Sequence, residues 1–353
     1  MPLLLHTADI HLRRDRAERL EALKQIVKRA RGRGAHLIIA GDLYDGVPTP
    51  ATREAAEELL KEVSPGHVFV SPGCRDADAF PPDSPPPENV HVLREPGEVV
   101  EVEGLRVSGA AFQSRGRLAA VLPQDAPAVD VFVAHATPFF EEASDLAIEI
   151  SERKDPFFSL LSADMERLNA RYVALGHPHG RFWSGEVAGR TACVPGSPLP
   201  IRNERGRRHA AVVEMTEQGV DVSPEEVTAL DYVERLVFYF HAGNEWEKQV
   251  ELRRLLDEHA DPRCRMQVEV EGCTALGEVD LNEILHQILN EYASKYSELH
   301  VLNHTQSWRH LMEQNPLVQQ FAGRLRGRQA PDETRHLALK MGLEAFRAAG
   351  ESR

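Results

Sequence analysis

The stretch HLIIAGDLYDG, residues 36–46, sets the pattern on which the first half of this chain is built. A short apolar run, LIIA, ends at a glycine and an aspartate, Asp42. A continuous apolar run of this length, bounded by turn residues, is typical of a strand buried inside an α/β domain. We therefore predict that Asp42 lies at the carboxyl end of a central strand, which is the edge of such a sheet where ligands bind.

The same layout recurs at three other places along the chain. The polar residues that follow apolar runs there are Asp9 and His11 in HTADIHL, His135 after VFVA, and His177 and His179 in GHPHG. Amphipathic helical stretches at 15–31 and 49–63 separate the first three strands, and the dipeptide Thr49-Pro50 is typical of a helix start. This order of elements predicts an α/β fold whose sheets carry helices on their outer faces.

The polar side chains at these four strand ends are expected to meet at one sheet edge. Taken singly, an Asp-x-His or a lone histidine is more often a helix cap or a core residue, but the ordered set outweighs that interpretation. Carboxylate and imidazole together suit Mn, Fe or Zn. Six such groups are too many for one ion with an open position, and they suit two ions that share a carboxylate. Two-metal sites activate water and clamp the attacking and leaving oxygens, so the pattern predicts phosphoester hydrolysis.

Composition limits the other function classes. The chain has 353 residues, 42% of them hydrophobic, and a formal net charge of −14, which argues against a protein that simply coats nucleic acid. Two local basic stretches, at 12–33 and 202–209, are interpreted either as solvated surface or as a binding surface. Four scattered cysteines without a C-x-x-C pair indicate a reduced, cytoplasmic protein. The opening MPLLLH is too short for a signal peptide or a membrane span, so we expect no membrane association.

The second half of the chain follows a different pattern. The strand-like runs LVFYF, RMQVEV and LHVLN alternate with two helical stretches, which predicts a compact βαβαβ unit. Two further helical segments, PLVQQFAGRLRGR and DETRHLALKMGLEAFRAAG, have no strand partners. We therefore divide the chain into a first domain at 1–225, a smaller α+β domain at 232–310 and a C-terminal helical segment at 315–353.

The motifs DIH, GDLYD, AH and GHPH, with a glycine turn between the second and third, resemble the ordered motifs of the calcineurin-like metallophosphoesterases. More narrowly, HTADIHL, YVALGHPHG and CVPGSPLP resemble the SbcD-type DNA repair exonucleases. The resemblance implies a sheet sandwich flanked by helices, with a smaller α+β capping domain and C-terminal helices. It implies a manganese-dependent phosphodiesterase that acts on DNA as a homodimer, beside a coiled-coil ATPase of the SbcC type.

The same resemblance assigns the metal ligands. It places the first metal ion on Asp9, His11, Asp42 and His179. It places the second on Asp42, His135, His177 and the asparagine of the family's G-N-H-D motif. Two Mn²⁺ ions are expected, with a single ion as the alternative.

This chain departs from the family at that motif, because Gly73-Cys74-Arg75-Asp76 stands in its place. Gly73 is expected to keep the unusual backbone conformation of the turn. Cys74 replaces a neutral oxygen ligand with a thiol that must ionise to bind metal. Arg75 cannot act as a general acid, but it can stabilise charge on a phosphoryl group, so we predict it as the catalytic phosphate clamp.

Several functional interpretations follow from this departure. The protein is a nuclease with altered metal preference, a slow hydrolase with one tight metal ion, or a catalytically weakened scaffold that binds DNA and the ATPase. Because the other six ligands are all present, we expect metal binding to be retained more firmly than hydrolysis. A small-molecule phosphodiesterase is a further alternative, against which the capping domain and the P-G-S-P turn count.

Overall fold

A computed structural model describes residues 2–114, 116–201, 204–227, 231–240 and 245–307, together with positions 320, 321, 323–325, 334 and 338. The chain divides into two compact units, Met1–Tyr232 and Val233–Arg353. The predicted C-terminal helical segment at 315–353 lies outside the described residues, apart from those few positions, which are helical.

The described residues form nineteen strands and six α-helices. The strands are β1 (Leu3–Thr7), β2 (His36–Ala40), β3 (Val68–Ser71), β4 (Val90–Val92), β5 (Val100–Val102), β6 (Leu105–Ala110), β7 (Gly116–Arg117), β8 (Val129–His135), β9 (Thr137–Phe139), β10 (Phe158–Leu161), β11 (Ala170–Gly176), β12 (Trp183–Val187), β13 (Arg190–Val194), β14 (His209–Met215), β15 (Val220–Glu226), β16 (Tyr232–Phe240), β17 (Cys264–Thr274), β18 (Glu298–Asn303) and β19 (Gln306–Ser307). The helices are α1 (Ala17–Arg33), α2 (Pro50–Lys61), α3 (Leu118–Val121), α4 (Ser144–Arg153), α5 (Glu245–Glu258) and α6 (Glu278–Tyr292).

Two six-stranded sheets form the first unit. Their strand orders are β15-β14-β1-β2-β3-β4 and β12-β13-β11-β8-β6-β5. The central strands of each sheet are parallel, and the antiparallel pairs lie towards the edges. Buried side chains from both sheets, among them Leu4, Ile38, Phe69, Val133 and Tyr172, pack into one core between them. The predicted sandwich fold is therefore confirmed.

Helices cover the outer faces of both sheets, as the sequence predicted. Leu23 and Ile26 of α1 pack with Leu60 of α2 against the first sheet, and Leu146 of α4 packs in the core on the outer side of the second. Burying these apolar faces is the main term that stabilises the layers. The sandwich holds the carboxyl ends of its parallel strands in fixed positions, and the loops that follow them carry the candidate site.

Local signals predicted most element boundaries correctly. Thr49 caps α2, because its hydroxyl oxygen accepts a hydrogen bond from the backbone N–H of Thr52 at 3.2 Å. Glu103 and Gly104, both with positive φ, make the tight turn between β5 and β6. The helical stretch predicted at 15–31 is α1, which continues through Gly32 to Arg33 and is capped by Gly34 with a left-handed φ of 62°.

Some short strands were missed. The antiparallel hairpin of β12 and β13 and the small sheet β7-β10-β9 were not predicted. The strands of the small sheet have only two to four residues, and β12 and β13 are not continuous apolar runs like β2 and β3, so the sequence carries little signal for either.

In the second unit, the predicted alternation of strands and helices is present. β17 is the central strand, and it pairs with β18 in parallel. Leu252 and Leu256 of α5 are buried, as are Leu281 and Leu285 of α6. Over the described residues, no helix is both long enough and apolar enough to cross a membrane.

Candidate metal centre

The first two strand ends are locked together by their backbones. Asp9, which follows β1, donates its N–H to the carbonyl of Gly41 at 3.0 Å, and His11 donates to the carbonyl of Asp42 at 2.9 Å. Asp9, His11 and Asp42 all have left-handed φ values, of 56°, 54° and 48°. A left-handed backbone conformation is unfavourable for residues that have a Cβ atom. It is retained where the surrounding structure holds it in place, commonly at functional sites. The loops after β1 and β2 therefore act as one rigid piece that presents three polar side chains.

The structure brings all six predicted ligands together, and all six are buried. Asp9 Oδ1 lies 3.4 Å from His179 Nε2, and Asp42 Oδ2 lies 3.6 Å from His135 Nε2 and 3.7 Å from His11 Nε2. Candidate ligand atoms of two triads, Asp9 with His11 and His179, and Asp9 with Asp42 and His135, lie within 4.8 Å of one another. Ligands around one tetrahedral ion are about 3.3–3.6 Å apart, so small movements would close each triad on a cation.

Carbonyl groups fix the orientation of two of the imidazoles. His135 Nδ1 lies 3.0 Å from the carbonyl oxygen of Ala40, and His177 Nε2 lies 3.1 Å from that of Pro156. A carbonyl only accepts, so each of these nitrogens carries the proton and donates it, and the other ring nitrogen has the lone pair. Histidines that bind metals are usually oriented by a partner of this kind.

Several buried atoms of this donor set lack hydrogen-bond partners in the described part of the chain, which also indicates a metal site. Among the described residues, Asp9 Oδ1, His11 Nε2 and His135 Nε2 are buried without a hydrogen-bond partner. A buried polar atom without a partner typically costs about 1–3 kcal/mol, and a cation placed among these atoms would remove that cost. The residues therefore fit divalent metal ions held by Asp and His.

The turn after β3 packs directly against Asp42. The backbone N–H of Arg75 donates to Asp42 Oδ1 at 2.8 Å, and the thiol of Cys74 donates to Asp42 Oδ2 at 3.3 Å. A Cβ atom on Gly73 would lie 2.2 Å from Asp42 Oδ1, so only glycine allows this approach. The φ of Gly73 is not left-handed, so the expectation of an unusual backbone conformation there was wrong. Glycine is required at this position for space.

Asp76 supports this turn from the inside of the fold. It is buried, and it accepts hydrogen bonds from the backbone N–H groups of Gly73 at 2.6 Å and Tyr44 at 3.2 Å. Burial and the neighbouring Asp42 raise its pKa to about 7. The aspartate that ends the motif is therefore a structural residue of the turn.

Charge within the centre favours an ionised Asp9. Burial alone would raise the pKa of Asp9, but His179, His135 and His11 outweigh it and hold that pKa below its usual range. Burial, with the carboxylates of Asp42 and Asp9, raises the pKa of the Cys74 thiol. The neutral thiol thus matches the hydrogen bond that it donates to Asp42.

Two carboxylates that sequence analysis missed surround His179. Glu149, on α4, accepts the backbone N–H groups of His179 at 2.8 Å and Gly180 at 2.9 Å. Glu204 Oε1 lies 3.5 Å from His179 Nδ1, which leaves Nε2 facing Asp9. An acidic residue on an amphipathic helix usually faces solvent, so the sequence carries no signal for Glu149. Glu204 lies in a basic stretch of the sequence, where an acidic residue is expected only to balance the neighbouring positive charges.

The two basic stretches divide into structural and surface residues. Arg19 is buried and donates to the carbonyl of Ile10 at 2.8 Å. Arg208 is also buried and donates to the carbonyls of Ser197 at 2.8 Å and Gly180 at 2.7 Å. These two arginines hold the loops of the centre in place through backbone carbonyls.

A cavity of about 130 Å³ opens over the centre. Its lining residues are His11, Arg13, Arg16, Arg19, Asp42, Asp45, Cys74, Arg75, Asp155, His179 and Ile201. Arg13 is paired with Asp15 and Asp45, whereas the guanidinium of the exposed Arg75 makes no ion pair among the described residues. Arg75 is thus a free cation at the mouth of the cavity, beside the Asp and His ligands.

Comparison with known proteins gives one family match. A family model described as calcineurin-like phosphoesterase matches residues 2–181, which include all six predicted ligands. No curated protein sequence matches the chain significantly.

Several solved structures share a distant likeness over 64% of this chain at 14% identity. A conserved uncharacterized protein from Streptococcus pneumoniae TIGR4, described as a predicted phosphoesterase, is covered over 90% of its length with a TM-score of 0.33. Vps29 from Chaetomium thermophilum is covered over 95% with a TM-score of 0.28. A 5'-nucleotidase precursor from Thermus thermophilus is covered over 54% with a TM-score of 0.34.

Proposed function

The chain belongs to the calcineurin-like phosphoesterases, and from this premise we propose that it is a cytoplasmic, metal-dependent phosphodiesterase of the SbcD exonuclease type that acts on DNA. The observation that carries the proposal is the position of Asp42. Its Oδ2 lies 3.7 Å from His11 Nε2, 3.6 Å from His135 Nε2 and 3.3 Å from Cys74 Sγ, and Asp42 lines a cavity that several arginines also line. A shared carboxylate at this position suits the two-ion arrangement of phosphoester hydrolysis.

The roles of the side chains follow from these contacts. Asp9, His11, Asp42 and His179 would hold one ion, and Asp42, His135 and His177 would hold the other. Mn²⁺ is proposed for the first position, where every ligand is a carboxylate or an imidazole. Bound ions would activate water and neutralise charge on the phosphate. Arg75 would bind a phosphoryl oxygen through its guanidinium, which makes no ion pair among the described residues.

Arginines that line the cavity support a substrate with several phosphates. The cavity of about 130 Å³ has room for one phosphate group, with the rest of the substrate outside. Arg13 and Arg16 line this cavity in exposed ion pairs with Asp15, Asp45 and Glu18, and phosphates of a longer substrate would compete with those carboxylates. Backbone phosphates dominate DNA affinity. This favours a nucleic acid over a small phosphomonoester.

The proposed protein partners are a second copy of this chain and a coiled-coil ATPase of the SbcC type. Both rest on the sequence resemblance, and the helical segment at 315–353 is the proposed attachment site for the ATPase. Size-exclusion chromatography with light scattering would give the oligomeric state. Copurification of the full chain, but not of a chain ending at residue 314, with the ATPase would support the attachment site.

One observation favours a second candidate, a weakened scaffold subunit that binds DNA and the ATPase. Position 75 carries an arginine, which stays charged and cannot protonate a leaving oxygen. The two histidines that line the cavity, His11 and His179, are proposed metal ligands, so they do not replace this proton donor. Loss of this proton donor costs about 10²–10⁴-fold in rate where a general acid is used.

An exonuclease assay separates the two candidates. End-labelled duplex DNA is incubated with Mn²⁺ alone or with Mn²⁺ and Zn²⁺ together, and with the wild type, Asp42→Ala, or the double variant Cys74→Asn with Arg75→His. The enzyme proposal expects cleavage by the wild type, with at least one of these metal mixtures, that disappears in Asp42→Ala. A wild type that is silent with both metal mixtures, and whose activity is created by the double variant, would reject the nuclease and support the scaffold.

A further inference from the structure

Cys74 stands at the one position where the ligand set of this chain changes chemical type. Its sulfur lies 3.3 Å from Asp42 Oδ2, and the same oxygen lies 3.6 Å from His135 Nε2. Ligand atoms of Cys74, His135 and His177 also lie within 4.8 Å of one another. One sulfur and two imidazole nitrogens thus lie together, and the carboxylate of Asp42 lies beside the sulfur and one of these nitrogens.

The two histidines are oriented for this point independently of the cysteine. The carbonyls of Ala40 and Pro156 accept the Nδ1 proton of His135 and the Nε2 proton of His177. His135 is fully buried, and its Nε2 has no hydrogen-bond partner among the described residues. An unpartnered, fully buried nitrogen that faces Asp42 and Cys74 indicates that a cation belongs between them.

Two distances in this group are close to those around a tetrahedral ion with mixed ligands. Bonds of about 2.3 Å to sulfur and 2.0–2.1 Å to nitrogen place neighbouring ligand atoms about 3.3–3.6 Å apart. The sulfur–oxygen distance here is 3.3 Å and the nitrogen–oxygen distance is 3.6 Å, and the sulfur and the two imidazole nitrogens lie within 4.8 Å of one another. Four ligands with one sulfur are typical of zinc, whereas manganese prefers oxygen-rich, six-coordinate surroundings.

We propose that Cys74 is a thiolate ligand of the second metal position, and that Cys74, Asp42, His135 and His177 together select a thiophilic ion such as Zn²⁺ over Mn²⁺. On binding, the S–H bond breaks, the sulfur keeps the electron pair and forms the metal–sulfur bond, and the proton passes to solvent. No oxidant or reductant is required. The inference rests on the proposed function, because it takes Asp42 as shared between two ions.

The experiment uses the full chain, stripped of metal with a chelator and titrated with Co²⁺, which reports its ligands by absorption. A thiolate bound to Co²⁺ gives an intense charge-transfer band in the near ultraviolet, and nitrogen and oxygen ligands do not. The variants are Cys74→Ser and Cys74→Asn. Cys193→Ala is the control, because Cys193 is buried in the core between the sheets, apart from the ligand set.

The thiolate proposal expects the band in the wild type and in Cys193→Ala, and its loss in both Cys74 variants. Competition between Zn²⁺ and Mn²⁺, read by elemental analysis, should show that Cys74→Asn lowers the preference for Zn²⁺ by at least about 10- to 100-fold. Cys74 is the one partly exposed cysteine of the four, so alkylation with iodoacetamide provides a second measurement. Bound Zn²⁺ should protect the peptide that carries Cys74.

The outcomes separate this inference from the proposed function. Binding of two Co²⁺ ions without the charge-transfer band would overturn the thiolate ligand and leave the phosphodiesterase proposal standing. Cys74 would then only donate its thiol hydrogen to Asp42. Failure of the stripped wild type to bind any divalent ion would overturn both. A thiolate band in a protein that cleaves no DNA would support the ligand and count against the enzyme.

Discussion

Asp42 accepts hydrogen bonds from the backbone N–H of Arg75 and the thiol of Cys74, while its Oδ2 lies 3.7 Å from His11 Nε2. At the scale of single residues, the position of this carboxylate is set by what packs against it. Gly73 also packs closely against it, since a Cβ atom there would overlap Asp42 Oδ1. The position of Asp42 therefore requires that residue 73 has no side chain.

Replacing Gly73 by alanine should displace Asp42. We expect Gly73→Ala to lower metal affinity at least about 10-fold and the free energy of unfolding by about 1–3 kcal/mol, because the new methyl group overpacks a buried contact. Metal titration by calorimetry and urea unfolding would measure both effects.

A matched Gly-to-Ala change distinguishes this effect from a general one. Gly32 lies within α1, and nothing lies within 4 Å of a Cβ placed there. Gly32→Ala should leave metal affinity unchanged and raise stability by about 0.5–1 kcal/mol, the usual gain in a helix interior. Equal metal affinities in the two variants would contradict the assigned role of Gly73.

At the scale of elements, the centre is held by parts of the fold that supply no predicted ligand. The loop that carries His177 and His179 is fixed by Glu149 of α4, and by Arg208, which donates to the carbonyls of His179 and Gly180. Charged groups that bind backbone N–H or carbonyl groups form stronger hydrogen bonds than neutral ones. α4 thus helps to aim His179 although it lies outside the strand-end pattern.

Replacing the carboxylate of Glu149 should destabilise the loop that carries His177 and His179. In Glu149→Gln one acceptor oxygen becomes an NH₂ group, which cannot accept from the second backbone N–H. We expect metal affinity to fall about 10-fold and stability to fall by about 1–2 kcal/mol, measured by the same titration and unfolding. Glu152→Gln, at an exposed position on the same helix, is the control. An equal loss in both variants would show that charge on α4, and not the loop contact, is responsible.

At the scale of the whole first unit, the two sheets share a polar contact as well as an apolar core. His6 of β1 is fully buried, and its Nδ1 lies 2.8 Å from the hydroxyl oxygen of Tyr172 in the opposite sheet. Burial lowers the pKa of His6 to about 3, although Asp9 opposes this shift. The neutral imidazole is therefore part of the packing between the sheets.

This burial makes stability depend on pH in a defined direction. Between about pH 6.5 and 3, the unfolded chain binds a proton at His6 and the folded chain does not. The contribution of His6 to the free energy of unfolding should therefore be fully present above about pH 6.5 and be lost as the pH decreases below it. The slope from this residue is about 1.4 kcal/mol per pH unit. Urea unfolding at pH 7, 6 and 5, in the presence of chelator, would measure it.

His6→Gln removes the titration and keeps a polar side chain of similar size. The slope between pH 6 and 5 should decrease by about 1 kcal/mol per pH unit in this variant, whatever its stability at pH 7. An unchanged slope would show that His6 is protonated in the folded protein.

Much of the fold was predictable because its signals are local. Buried strands are continuous apolar runs, the cap at Thr49 is a matter of neighbouring residues, and the turn at Glu103-Gly104 needs only its own two positions. The strands that escaped prediction, such as β7 and β9, have two or three residues. Their pairing with β10 depends on partners far along the chain.

The sequence by itself determined which residue types stand at the strand ends and in what order, since Asp9, Asp42, His135 and His177 each follow an apolar run. Only the tertiary structure decided what those residues meet. It placed Glu149 and Glu204 around His179, buried Arg19 and Arg208 beneath the loops, and set the thiol of Cys74 against Asp42. The physical reason is the distance along the chain over which each feature is determined. Backbone conformation and burial depend largely on neighbouring residues, whereas a contact between side chains depends on how two sheets pack.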